Sequence, residues 1–173
     1  MAGADILAGE GAATGLASLL ALNNAHAEAL TFLSPEGLAR LVDRAFVVLR
    51  AGEKDAFLIA FDEGADYDSQ NFLWFRERFA RFVYVDRVAV ASHARGRGLG
   101  RALYDALAAR ASAAGRERIV CEVNADPPNP VSDAFHAAMG FVVVGAQRLS
   151  SGKSVRYYAR PLGGEEDRPV ARR

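Results

Sequence analysis

Residues Phe82-Val83-Tyr84-Val85-Asp86-Arg87-Val88-Ala89-Val90, followed by Arg95-Gly96-Arg97-Gly98-Leu99-Gly100, decide how the rest of the chain is read. The first stretch is β-branched and aromatic, as a buried central strand is. The second is a glycine-rich turn. It leads into Gly98 to Ala114, where Leu99, Leu103 and Leu107 recur at four-residue spacing and predict a helix with one apolar face. A strand-to-helix turn of this kind is an anion site: glycines let the backbone bend and approach a ligand, and the first amides of the helix point free N–H groups outward at the positive end of its dipole. Arg95, Arg97 and Arg101 add positive charge, so a diphosphate is the natural occupant.

Three phosphate-binding patterns compete for this turn. The Walker loop needs four residues between its glycines and a following Lys-Ser or Lys-Thr, which are absent. The dinucleotide fingerprint needs a third Gly or Ala where Arg101 stands, and its first glycine should close the strand, whereas Gly96 trails it. Glu122 lies near the place of that fold's ribose-binding acid, so a dinucleotide protein stays as an alternative. The third pattern, Arg/Gln-x-x-Gly-x-Gly/Ala, is met by Arg95, Gly98 and Gly100.

Working outward, Arg118 to Val123 reads as a second buried strand, Asn124 to Pro130 as a proline-broken loop, and Ser132 to Met139 as a short helix closed by Gly140. Phe141 to Val144 and Ser154 to Arg160 read as strands joined by a turn at Ser150 to Lys153. Upstream, Leu16 to Ala29 is helical in period but interrupted at Asn23-Asn24, and Ser34-Pro35-Glu36 starts a helix running to Arg44. Ala45 to Arg50 and Ala56 to Phe61 form a hairpin, and Asn71 to Phe82 reads as a helix with its aromatics turned into the core or, alternatively, as the wall of a substrate pocket. Residues 1–14 form an arm or a poor first strand near Asp5 to Leu7, residues 15–162 one domain, and residues 163–173 a mobile polar tail.

Composition excludes several classes of function. The 173 residues suit one domain, and 51% hydrophobic with 24% charged residues is the balance of a soluble globular protein. Equal numbers of basic and acidic residues, 21 each, supply no global field toward nucleic acid or anionic lipid. No apolar run is long enough to span a bilayer, and Met1 to Leu7 lack a basic leader start, which predicts a cytoplasmic protein with no nucleic-acid or membrane partner. Cys121, the single cysteine, sits in an apolar run as a buried reduced thiol, and three scattered histidines offer no metal spacing.

The glycine turn after an apolar strand that ends at Val90, five residues before Arg95, resembles the GNAT superfamily of N-acetyltransferases. A second match lies downstream: Asn129, then a short helix with His136 seven residues on, then Gly140-Phe141 opening a strand. The runs Leu22 to His26, Asn71 to Arg76 and Cys121 to Asn124 are similar to those of a bacterial branch that brings no substrate with it. The resemblance implies an α+β, α/β/α-layered fold, with a mixed, mostly antiparallel sheet flanked by helices and two splayed central strands that bind the cofactor. It implies an enzyme that passes an acetyl group from acetyl-CoA to a primary amine, without metal; a non-catalytic acyl-CoA sensor on the same fold is the alternative.

The resemblance also assigns roles. Gly96, Arg97, Gly98, Leu99, Gly100 and Arg101, with Arg95, hold the pyrophosphate, and the backbone of Val88, Ala89 and Val90 pairs with the pantetheine arm, its amides near Val90 facing the oxyanion. Asn129 and His136 border the cofactor. The family's usual Tyr is replaced by His136, whose imidazole titrates nearer neutrality than a phenol and suits donation to the leaving thiolate. Asp86, on the nominal face of Val90 if no bulge intervenes, is the first candidate base and Glu122 the second. The acidic stretch Asp62, Glu63, Asp66, Asp68 would favour cationic acceptors if it bordered the cleft, and the strands after Phe141 suggest a homodimer.

Overall fold

In the computed structural model, which describes residues 5–6 and 12–163, the elements run in chain order. They are β1 (Asp5–Ile6), α1 (Ala12–Ala25), α2 (Ala27–Leu30), α3 (Pro35–Arg44), β2 (Val47–Ala51), β3 (Ala56–Asp62), α4 (Gln70–Arg76), β4 (Phe82–Val90), α5 (Leu99–Ala113), β5 (Arg118–Asp126), α6 (Pro130–Ala138), β6 (Val142–Arg148) and β7 (Ser154–Pro161). The seven strands form one sheet in the order β1-β2-β3-β4-β5-β7-β6. Every pairing is antiparallel except that of β4 with β5. That topology is not the parallel, doubly wound sheet of a dinucleotide fold. Among the described residues no helix is long and apolar enough to cross a membrane.

Local chemistry accounts for most boundaries. The Ser34 hydroxyl accepts from Gly37 N at 3.0 Å with Pro35 in the first helical position, so α3 starts where the sequence predicts. Of the first fourteen residues, Asp5–Ile6 pairs with Arg50 and Leu49 as β1, α1 begins at Ala12, and the others lie outside the described residues. Its interruption falls at His26, between α1 and α2. The helix expected over Asn71 to Phe82 stops at Arg76, because Phe82 is already committed to β4. The tail expected over residues 163–173 lies, from residue 164 onward, outside the described residues.

Two apolar layers sandwich the sheet. Leu103, Tyr104, Leu107 and Ala111 of α5 pack on Val83, Val85, Ile119 and Cys121. On the other face Leu19, Leu38, Phe72 and Phe75 pack on Ile59, Tyr84, Val120 and Tyr157. Burial of such side chains, about 1.5–3 kcal/mol each, is the main driving force of the fold. The sheet ends at β6, an edge strand where Val142 and Val143 are more than half exposed.

Candidate active site

The decisive feature is how little β4 and β5 touch. They pair in parallel only at Phe82–Arg118, Val83–Ile119 and Tyr84–Val120. From Val85 onward β4 keeps β3 on one side, up to Ala56–Val90, and has no strand on the other. A strand edge left open inside a sheet can take a further extended chain by backbone hydrogen bonds. A cavity of about 150 Å³ lies at this opening. Asp86, Val88, Glu122, Asn129 and His136 all line it, together with Arg87, Tyr104 and the α2 residues Ala29 and Leu30.

A bulge sorts the side chains of β4. Ile59 pairs with Arg87 and Ala60 with Val85, so Asp86 is the extra residue. The alternation therefore slips: Ala89 packs with Tyr84 on one face, while Val88 and Val90 join the α5 face. Asp86 no longer shares Val90's face, the condition under which it ranked first as base. Its Oδ1 accepts from the Tyr67 hydroxyl at 2.5 Å and its Oδ2 from Arg87 Nε at 2.7 Å, with both side chains nearly buried. Asp86 is thus doubly engaged.

Glu122 is placed differently. Tyr84 Oη and Asn71 Nδ2 both donate to Oε1, at 3.1 and 2.9 Å, whereas Oε2 is cut off from solvent and has no hydrogen-bond partner among the described residues. Burial, reinforced by the Asp86 charge and opposed by the bond from Tyr84, pushes this carboxyl up to about 8. With both donors on Oε1, Oε2 is the oxygen that carries the proton and the one left for a ligand. Asn71 is a residue the sequence marked only as part of an aromatic run; its buried-side neighbour Phe72 sits in the core, and its own amide also accepts from Tyr157 Oη at 2.9 Å.

His136 is buried, and both ring nitrogens are occupied. Nδ1 lies 2.8 Å from the carbonyl of Ser132, which can only accept, so Nδ1 carries the proton and Nε2 accepts from Tyr104 Oη at 2.8 Å. Burial holds the imidazole below its ordinary value, so the neutral form prevails at neutral pH. Tyr104 was legible in the sequence only as a helical core position. Asn129 caps α6 through Oδ1, which accepts from Ser132 N at 3.2 Å.

The glycine turn sits beyond the cavity at the start of α5. Gly96 and Gly98 have φ of 75° and 76°, the left-handed region, and a Cβ on either would meet nothing within 4 Å. Their glycine requirement is one of backbone conformation and of open space in front of the helix. Gly100 serves packing instead: a Cβ there would stand 3.4 Å from the Phe135 ring, so α6 docks closely on α5. Arg95 and Arg101 are exposed, and Arg97 Nη1 bonds Asp55 Oδ2 at 2.9 Å. The acidic stretch is spent elsewhere: Asp62 and Glu63 pair with Arg116, Asp66 pairs with Arg44, and none of the four residues lines the cavity.

The splayed strands and the glycine turn are joined by a sequence match. A model of the acetyltransferase (GNAT) family matches residues 19–141. The chain belongs to that family. Its fold is similar to the ribosomal-protein-S18-alanine N-acetyltransferase of Escherichia coli (20% identity, 95% of this chain and 97% of that one, TM-score 0.64). It is likewise similar to the ribosomal-protein-alanine N-acetyltransferase of Brucella melitensis (20% identity, 91% and 99%, TM-score 0.66). A third structure, yncA of Salmonella typhimurium, described with its cofactor acetyl-CoA, superposes at 18% identity over 97% and 98% of the chains with TM-score 0.63. None of the curated proteins compared matches the sequence. Family and fold together support acyl transfer from acetyl-CoA.

Proposed function

We propose that the chain is an N-acetyltransferase that moves the acetyl group of acetyl-CoA onto a primary amine by direct attack, with Glu122 as the base. The observation that carries this is the state of Glu122: a carboxyl in the splay, raised to about 8, with one oxygen unpartnered. A base must titrate near the working pH and reach the proton it removes, and Glu122 meets the first condition and lines the cavity where the second would be met. Asp86, with both oxygens engaged, holds the bulge and keeps Glu122 high.

The residues that fit the cofactor are the open turn and the open strand edge. The amides of Gly96 to Arg101 would hold the pyrophosphate at the helix start, with Arg95 and Arg101 adding charge, and Val88, Ala89 and Val90 would pair with the pantetheine. When bound, the thioester supplies the electrophilic carbonyl. Amides at the open end of β4 would face the thioester oxygen, and Glu122, in its ionised form, would take the amine proton on Oε2. His136, as imidazolium, would pass its Nε2 proton to Tyr104 Oη, which lines the cavity and would in turn give its own proton to the departing sulfur, while Nδ1–H stays on the Ser132 carbonyl.

The test is calorimetric titration of acetyl-CoA, followed by amine-dependent thiol release from wild type and Glu122→Gln. Micromolar binding to both proteins with thiol release reduced on the order of 10²-fold or more in the variant is expected. Binding without release from wild type, over a broad amine panel, would identify a non-catalytic acyl-CoA sensor instead.

A further inference from the structure

Among the described residues, Asn23 and Arg87 are buried polar or charged residues that the reaction outlined above does not use. Arg87 lies on β4 beside the bulge, and its guanidinium divides its work. Nε donates to Asp86 Oδ2 at 2.7 Å, and Nη1 donates to Asn23 Oδ1 of α1 at 2.8 Å. Asn23 passes the connection on: its amide donates to the Thr31 carbonyl at 3.0 Å and to Asn24 Oδ1 at 2.9 Å. Asn24 then brackets Leu33, donating to its carbonyl and accepting from its N–H, each at 3.0 Å. Every polar group of Asn23 is thereby satisfied inside the protein.

The far end of this chain is a strained backbone. Thr31, the C-cap of α2, has φ 67° and ψ 138°, and is the one positive-φ residue other than glycine among the described residues. A β-branched residue stays there only when its surroundings over-determine it. The bond from Asn23 to its own carbonyl and the two bonds of Asn24 to Leu33 just after it do so, and the residues just before it, Ala29 and Leu30, form a wall of the cavity.

We propose that Arg87, Asn23 and Asn24 form a latch that fixes the Ala29–Leu30 wall relative to the carboxylates of the splay, making them positioning residues that set which acceptor amines fit. One guanidinium ties the bulge at Asp86 to the loop at Thr31, so the distance from wall to carboxylate is built by the fold and not by the ligand. Preorganisation of this kind lowers the cost of ordering an acceptor and sharpens discrimination by size. The inference rests on the acetyl-transfer reading of the cavity.

The test uses the full chain with acetyl-CoA, hydroxylamine as a nucleophile too small to need the wall, and straight-chain primary amines from ethylamine to hexylamine. Asn24→Ala, at a part-buried position, removes the brackets on Leu33 and leaves Arg87 paired; Asn23→Ala tests the centre of the latch. The expected result is an acceptor KM about tenfold higher, the loss of a hydrogen bond or two, with a flattened dependence on chain length. Acetyl-CoA affinity and the hydroxylamine rate stay unchanged, and amide exchange at Thr31 and Leu33 quickens. Unchanged KM and chain-length profile despite faster exchange overturns the latch, as does an equal loss of acetyl-CoA affinity. Acetyl-CoA binding with no thiol release from wild type by any amine overturns the acetyl-transfer reading and the latch with it.

Discussion

Tyr104 and His136 form one unit: the phenol donates to Nε2 at 2.8 Å while Nδ1–H is fixed on the Ser132 carbonyl, so the resting imidazole has no proton to give. Donation to a thiolate therefore depends on the imidazolium, and burial places its titration below the ordinary 6.5. His136→Ala is expected to lower kcat on the order of 10²-fold at pH 6, with the deficit shrinking toward pH 8 as wild type loses its imidazolium. The kcat–pH profiles of both proteins check this. A deficit equal at every pH would leave His136 a packing residue. Tyr104→Phe strands a buried acceptor and should cost about 1–3 kcal/mol of stability.

Glu122 couples the site to stability with a sign opposite to that of an ordinary carboxylate. Its folded value, about 8, lies above the 4.5 of a free glutamate, so between those pH values the native state binds more protons than the unfolded chain. Stability contributed by its protonated form is intact below about 4.5 and lost as pH rises to 8. Glu122→Gln cannot ionise. Relative to wild type it should gain stability across that window at up to about 1.4 kcal/mol per pH unit, and level off above it. Thermal melts of the free protein from pH 5 to 9 measure the divergence; parallel curves would mean Glu122 ionises normally.

Much of this was legible before any coordinates, and the exceptions have physical causes. The glycine turn, α3 with its Ser34 cap, and the order of strands from Phe82 onward follow from local chemistry, which acts over a few residues. The bulge at Asp86 does not, because it is defined by pairing with Ile59 and Ala60 some 26 residues away in β3. It takes Asp86 off the face of Val90, the condition on which Asp86 was placed ahead of Glu122. Tyr104, Asn71 and the Asn23–Arg87 bond were hidden for the same reason: each joins residues at least 32 positions apart, and each residue alone reads as a helix position or a strand charge. The condition placed on the acidic stretch was spatial and could not be read from composition: Asp62, Glu63 and Asp66 pair with Arg116 and Arg44, away from the cavity lining.

Gly145 is another position whose requirement only packing reveals. A Cβ there would stand 2.5 Å and 2.7 Å from two ring carbons of Trp74, and that ring is itself stacked on Tyr157 at 4.2 Å. The indole has no room to retreat. Gly145→Ala should cost about 1–3 kcal/mol, lowering Tm by roughly 2–10 °C, with acetyl-CoA affinity unchanged. Trp74 fluorescence during the melt reports whether the ring has been displaced, and an unaltered Tm would show that the β6 backbone yields instead.

Gly98 and Gly115 give a matched pair for the cofactor loop. Their φ values are 76° and 71°, and a Cβ on either meets no atom within 4 Å of the free protein. Alanine in the left-handed region costs about 1–2 kcal/mol at each, so the two substitutions should lower stability alike. They differ in what stands before them. Gly98 caps the start of α5, where amide N–H groups would meet a pyrophosphate, while Gly115 follows the helix's other end. If the turn holds the pyrophosphate as proposed, Gly98→Ala should weaken acetyl-CoA binding by tenfold or more, and Gly98→Val more again, by filling the open space in front of the helix. Gly115→Ala should bind acetyl-CoA as wild type does. Calorimetric titration of the three variants, with their melts alongside, separates strain from contact: equal Tm losses with unequal affinities assign the pyrophosphate to the turn, and equal affinities would remove it from there.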